Sequence, residues 1–265
     1  MRFISILFLL GFLAACGGGG SATSSGSAVT SDISPTVAWP SHLRTFWSAY
    51  QYEDAPRCDG FTCTYDFFGE PLTFDIDELD PTGALKPHLR GTRVTNGISL
   101  ATGTVREGDL EFEIYAGWSE YQGFTEVTGT VPFGDGTSTA DILLTVAMGY
   151  SNFTNPVAGS ATWRGIMVGR RYAERYWHEQ INRRVTGDAT VTADFTDLNV
   201  DVTFSRIADD RGYTLADQHW IDLPMYDGGF EGEGLGGQFY GPNHEEAGGT
   251  FDLPGFSGAF ATIRQ

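Results

Sequence analysis

In Ala189-Thr190-Val191-Thr192-Ala193-Asp194-Phe195 the odd positions are apolar and the even ones polar, and Val200-Asp201-Val202-Thr203-Phe204 repeats the alternation. A period of two is the signature of a strand with one face buried. Between the two runs stand Thr196-Asp197-Leu198, turn residues that join them as a strand pair. Apolar or β-branched stretches bounded by glycine and aspartate also occupy residues 99–105, 110–116, 140–150 and 161–169. Shorter ones fit 229–233, 238–240, 249–251 and 258–263. Strand after strand at this spacing, with no long helix between, predicts an all-β antiparallel barrel or sandwich and excludes an α/β fold. The 35 glycines suit the corners and bulges of such a structure, where a missing Cβ is useful.

The amino-terminal part reads differently. Residues 41–52 carry Leu43, Phe46, Trp47 and Tyr50 at spacings of three and four, with Ser41 as a cap, which predicts a short amphipathic helix. Cys58 and Cys63 flank Asp59-Gly60, whose turn chemistry brings the ends together. The reading is a local disulfide, contributing about 2 kcal/mol by loop closure. A metal pair is the rival, weakened because no histidine or further cysteine lies nearby in sequence.

Further upstream, Arg2 precedes an apolar run that ends in Leu13-Ala14-Ala15-Cys16. A charge, a short apolar stretch and small residues make a secretory signal, and a run of about ten apolar residues is too short to span a bilayer. The stretch resembles a bacterial lipoprotein signal peptide, which implies acylation of Cys16 and a membrane anchor made of lipid. Gly17, standing where a retention aspartate would be, fits passage to the outer membrane, on either its periplasmic or its outer face. The expected organisation is a signal at 1–15, a lipidated Gly/Ser-rich tether at 16–33, an amino-terminal extension with the short helix and disulfide loop at 34–91, and a β-barrel domain at 92–265. With 34 acidic against 16 basic residues the net charge is -18, so phosphate backbones are repelled and nucleic acid is excluded as a partner. The chain is expected to be monomeric.

The carboxy-terminal third runs Gly236-Gly237-Gln238-Phe239-Tyr240-Gly241-Pro242-Asn243-His244-Glu245-Glu246-Ala247-Gly248-Gly249-Thr250-Phe251, then Gly258-Ala259-Phe260-Ala261. This resembles the closing motif of the transferrin-binding-protein-B-like β-barrel domain, and residues 165–169, 187–191 and 194–195 fit its strand pattern. The resemblance implies an eight-stranded barrel on a surface or periplasmic lipoprotein, in a family that serves nutrient capture, haem handling or binding of host factors. It implies a structural role for Gly237, Phe239, Tyr240, Gly241, Glu245, Glu246, Gly248 and Gly249. A catalytic pair at Glu245 and Glu246 is disfavoured, since adjacent residues on a turn do not straddle a substrate.

Residues 170–184 are the most basic and aromatic part of this acidic chain, and two readings stay open for Tyr172, Arg175, Tyr176, Trp177 and His178. They cover the barrel, or they form a contact surface for a ligand or partner. Haem is the cofactor worth testing there: His178 and the tyrosines offer iron ligands, and Arg175 a propionate partner. No zinc motif, phosphate loop or serine-nucleophile elbow is present. The expectation is a non-enzymatic, envelope-anchored lipoprotein that captures a small ligand or a protein partner, in the setting of nutrient or iron acquisition. Its rivals are a structural envelope protein and an enzyme whose site converges from distant strands.

Overall fold

The computed structural model describes residues 37–47, 50–54, 57–59, 62–67, 70–132, 139–155, 159–171 and 183–265. Among them the chain is built of strands, with only two 3₁₀ turns, Ile76–Leu79 and Lys86–His88. Strands β1 (Val37–Trp47) and β2 (Tyr50–Asp54) are followed by β3 (Arg57–Asp59), β4 (Thr62–Phe67) and β5 (Glu70–Asp75). Then come β6 (Leu89–Thr95), β7 (Ile98–Glu107), β8 (Leu110–Trp118), β9 (Gln122–Pro132) and β10 (Thr139–Gly149). An antiparallel seven-stranded sheet takes the order β2-β1-β10-β9-β8-β7-β6, and β3-β4-β5 form a small sheet of their own.

The rest of the chain closes on itself. Strands β11 (Ser160–Arg171), β12 (Arg183–Asp194), β13 (Asn199–Asp209), β14 (Gln218–Tyr226), β15 (Gly229–Gly232), β16 (Leu235–Tyr240), β17 (Glu246–Leu253) and β18 (Phe256–Arg264) form a closed antiparallel barrel. β18 returns to pair with β11, from Trp163↔Arg264 to Arg171↔Phe256. An eight-stranded barrel is just wide enough for side chains to fill. Here they do: Trp163, Phe204, Phe230, Phe239, Phe251 and Phe260 are buried inside with Val185, Val191, Val200 and Val202. Trp163 meets Phe239 at 4.8 Å, and Phe204 meets Phe251 at 5.0 Å.

Alternation decides what lies outside. In β11, Trp163 and Met167 face the interior, while Ile166 and Val168 join Ala259 and Ala261 on the outer wall. Against that wall packs one face of the open sheet, through Ile98, Leu100, Tyr115, Phe124 and Ala147. The opposite face, with Phe112, Ile114, Val127 and Leu144, is covered by Leu79, Leu85 and Leu89. Thr125 Oγ1 donates to the Leu79 carbonyl at 2.7 Å and pins that cover down.

Two expectations are corrected. The helix expected over 41–52 is replaced by β1 and β2. β1 pairs with β10 from Val37↔Gly149 to Phe46↔Asp141, so a strand about a hundred residues away supplies the backbone partners and overrides a local spacing. Pro40, which has no N–H to give a ladder, sits in the register shift between Trp39 and His42. The barrel is also shorter than the 92–265 expected. β7 to β10 hydrogen-bond in the open sheet, and residues 160–264 close the barrel without them.

Candidate functional site

Where the sheet meets one end of the barrel, the structure has a cleft of about 560 Å³. One wall comes from the sheet: Gly97 and Ser99 at the β6–β7 turn, then Trp118, Ser119, Glu120 and Tyr121 at the β8–β9 turn. The other is the barrel end, with Glu245 and Glu246 entering β17 and Ile263 and Arg264 leaving β18. The volume lies within the ordinary range for a ligand site.

Glu246 joins the walls. It is 3% exposed, and its Oε2 accepts from Ser119 Oγ at 2.7 Å and Tyr121 N at 3.1 Å, while Oε1 accepts from Glu120 N at 3.0 Å. Burial raises its pKa, and those three donors work against the rise. Beside it, Glu245 stays partly exposed and accepts from Asn243 N at 2.9 Å and Asn243 Nδ2 at 2.8 Å. Its own burial penalty is outweighed by those bonds, so its pKa is lowered. The Tyr121 hydroxyl is held above its ordinary range, first by its hydrogen bond to Glu120, then by burial and by the charges of Glu120, Glu245 and Glu246. The cleft mouth is electronegative.

The closing motif builds this barrel end. Phe239 points inward against Trp163 and Phe230. Gly237 leaves the space that the Phe230 ring occupies. Tyr240 points outward, is fully buried, and its hydroxyl has no hydrogen-bond partner among the described residues. Gly241 has φ +89°, and a Cβ there would strike the Glu245 carboxylate. Gly248 and Gly249 sit in β17 opposite Gln238 and Gly237. His244 closes the turn: its Nε2 is 2.7 Å from the Thr154 carbonyl, and its own carbonyl accepts from Trp163 Nε1 at 2.9 Å.

At the other end of the junction lies a buried ionic cluster. Arg170 Nε donates to Glu126 Oε1 at 2.6 Å, both side chains being nearly inaccessible, and Arg170 Nη2 lies 3.4 Å from Glu113. Arg184 stacks over Tyr115 at 3.9 Å. Burial lifts the Glu126 pKa against the pull of Arg170, and burial lowers that of Arg184. Arg170 and Arg184 are Cα partners, as are Arg171 and Arg183, whose side chains meet Asp209 at 3.9 Å and Asp210 at 3.2 Å.

These arginines bracket the segment with Tyr172, Arg175, Tyr176, Trp177 and His178, which lies outside the described residues, as does Cys16. Cys58 and Cys63 are Cα partners in the β3–β4 hairpin. The cleft itself escaped sequence reasoning, because its walls lie more than a hundred residues apart along the chain. A signal was present in Trp118-Ser119-Glu120-Tyr121, aromatic and acidic residues clustered at a turn.

No protein-family model matches this chain. No curated protein matches it either. Among solved structures it is similar to intact Ap-TbpB with its N and C lobes, at 15% identity and a TM-score of 0.41, covering 85% of this chain and 46% of that one. Two variants of the vaccine antigen transferrin-binding protein B from Haemophilus parasuis Hp5 are also similar. The single variant gives 15% identity and a TM-score of 0.44, the double variant 16% and 0.43, each covering 85% of this chain and 45% of the other. This chain spans less than half the length of each. The likeness is remote.

Proposed function

We propose that this protein is a non-enzymatic binding lipoprotein of the cell envelope, held by lipid on Cys16 and taking a small ligand or protein partner in the sheet–barrel cleft. The observation that carries the reading is the filled barrel. Its interior is occupied by interlocking aromatic rings, so a ligand has to be met on the outside. The cleft between the two walls is a concave surface that the described residues offer there. The motif Leu13-Ala14-Ala15-Cys16 supports the anchor, and the resemblance of residues 236–261 to a family of envelope binders supports capture of nutrient or iron sources as the setting.

The anchor is tested by expressing the full chain and Cys16→Ser in a Gram-negative host with labelled fatty acid. The expected outcome is label on the parent chain and its recovery with membranes, both lost in the variant. A parent chain that is soluble and unlabelled overturns the anchored reading.

A further inference from the structure

We infer that the cleft is a receptor for a cationic side chain, an arginine or lysine presented by a basic polypeptide partner. The inference rests on the cleft being the binding surface and adds the chemistry of its occupant. Three carboxylates stand at the cleft, those of Glu120, Glu245 and Glu246. Among the described residues none of them is in an ion pair. Glu246 is spent on Ser119, Glu120 and Tyr121, whereas Glu120, bonded to the Tyr121 hydroxyl, is exposed, and Glu245, bonded to Asn243, is partly so. Arg264, the cation at the rim, is drawn to the barrel: its Nη1 donates to the Asn243 carbonyl at 3.3 Å and its guanidinium lies 5.8 Å from the Trp163 ring centroid.

Beside the carboxylates, Trp118, Tyr121 and Ile263 supply aromatic and apolar surface. That combination suits a long side chain with an apolar stem and a charged head, whose methylenes lie on the rings while the head reaches the carboxylates. A guanidinium adds bidentate pairing. The whole chain agrees in sign: at a net charge of -18 it repels nucleic acid and anionic lipid and steers basic polypeptides toward itself. A second copy of this acidic chain is disfavoured for the same reason.

The test uses the full chain in mild detergent and two fluorescein-labelled peptides, one with a central Leu-Arg-Leu and one with neutral citrulline replacing the arginine. Binding is read by anisotropy at about 20 mM and about 150 mM salt. Saturable binding of the arginine peptide is expected, about tenfold weaker for citrulline, and weakened about three- to tenfold by Glu120→Gln or Glu245→Gln. Ser99→Trp, which fills the cleft, is expected to abolish it, with each variant's thermal melt confirming a folded chain. Should both peptides bind equally and Ser99→Trp abolish both, the cationic occupant is overturned and the cleft reading stands. Binding that Ser99→Trp leaves intact overturns both, and no binding of either peptide at millimolar concentration overturns the cationic occupant.

Discussion

Glu246 and Glu245 are adjacent in sequence, yet only the first holds two parts of the molecule together. Replacing Glu246 by alanine leaves Ser119 Oγ and two backbone N–H groups of the β8–β9 turn without their acceptor. An unsatisfied buried donor costs about 1–3 kcal/mol, so Glu246→Ala is expected to destabilise by about 2–4 kcal/mol in urea unfolding. Glu245→Ala, which loses bonds within its own exposed turn, is expected to cost less than about 1 kcal/mol. Equal effects would refute this division. Because burial raises the pKa of Glu246, the folded chain holds that proton more tightly than the unfolded one. Its contribution is therefore fullest below the ordinary glutamate range and declines as pH rises through the raised value, so the stability of the parent relative to Glu246→Gln should fall as pH rises from the ordinary glutamate range through that raised value. Nothing in Asn243-His244-Glu245-Glu246 reveals which carboxylate is the clamp, since its three donors lie about 125 residues upstream.

β9 shows the same limit at the scale of an element. Gln122–Pro132 carries glutamate, glutamine and threonines where a buried strand is expected to be apolar, and its period was not legible as a strand. The structure buries residues 122–128 on both faces, with polar groups on the barrel side partnered by the barrel and Thr125 by the Leu79 carbonyl on the other. Glu126 meets Arg170, and Gln122 Nε2 donates to the Thr262 carbonyl at 2.8 Å. Removing one member of a buried pair strands the other charge, so Arg170→Met is expected to cost about 3–5 kcal/mol. Adding Glu126→Leu to it should restore most of that loss, as read from chemical unfolding midpoints. A double variant no more stable than the single one would show that Glu126 is not the stranded charge. β12 and β13, in contrast, were legible because the inward positions of 189–195 and 200–204 are apolar and the positions between them polar. β1 misled for a local reason: Leu43, Phe46, Trp47 and Tyr50 satisfy a helical spacing, and only the distant β10 converts the segment into a strand.

For the whole molecule, the apolar contact between sheet and barrel runs through Phe124, Tyr115, Ile166, Val168 and Ala261, with an ionic or hydrogen-bonded clamp at each end. That continuity predicts one cooperative unfolding transition. Phe124→Ala, at a residue 1% exposed, is expected to lower its midpoint by about 3–5 kcal/mol equivalent while far-ultraviolet dichroism and tryptophan fluorescence stay coincident. Two separated transitions would mean that sheet and barrel fold independently. The all-β class was readable from alternation and turn chemistry, but the division into an open sheet and a closed barrel was not, because strand order depends on pairings that no local pattern encodes. Closure has a further consequence for copies of the chain at high concentration. The barrel strands offer no free edge to a neighbour, whereas β6 is an outer strand of the open sheet, its exposed residues including Arg90, Arg93 and Val94, and its ladder is broken by a register shift between the two arginines. Charge and irregularity there discourage strand-to-strand templating, so that crowded copies do not knit together along the β6 edge into a continuous ribbon.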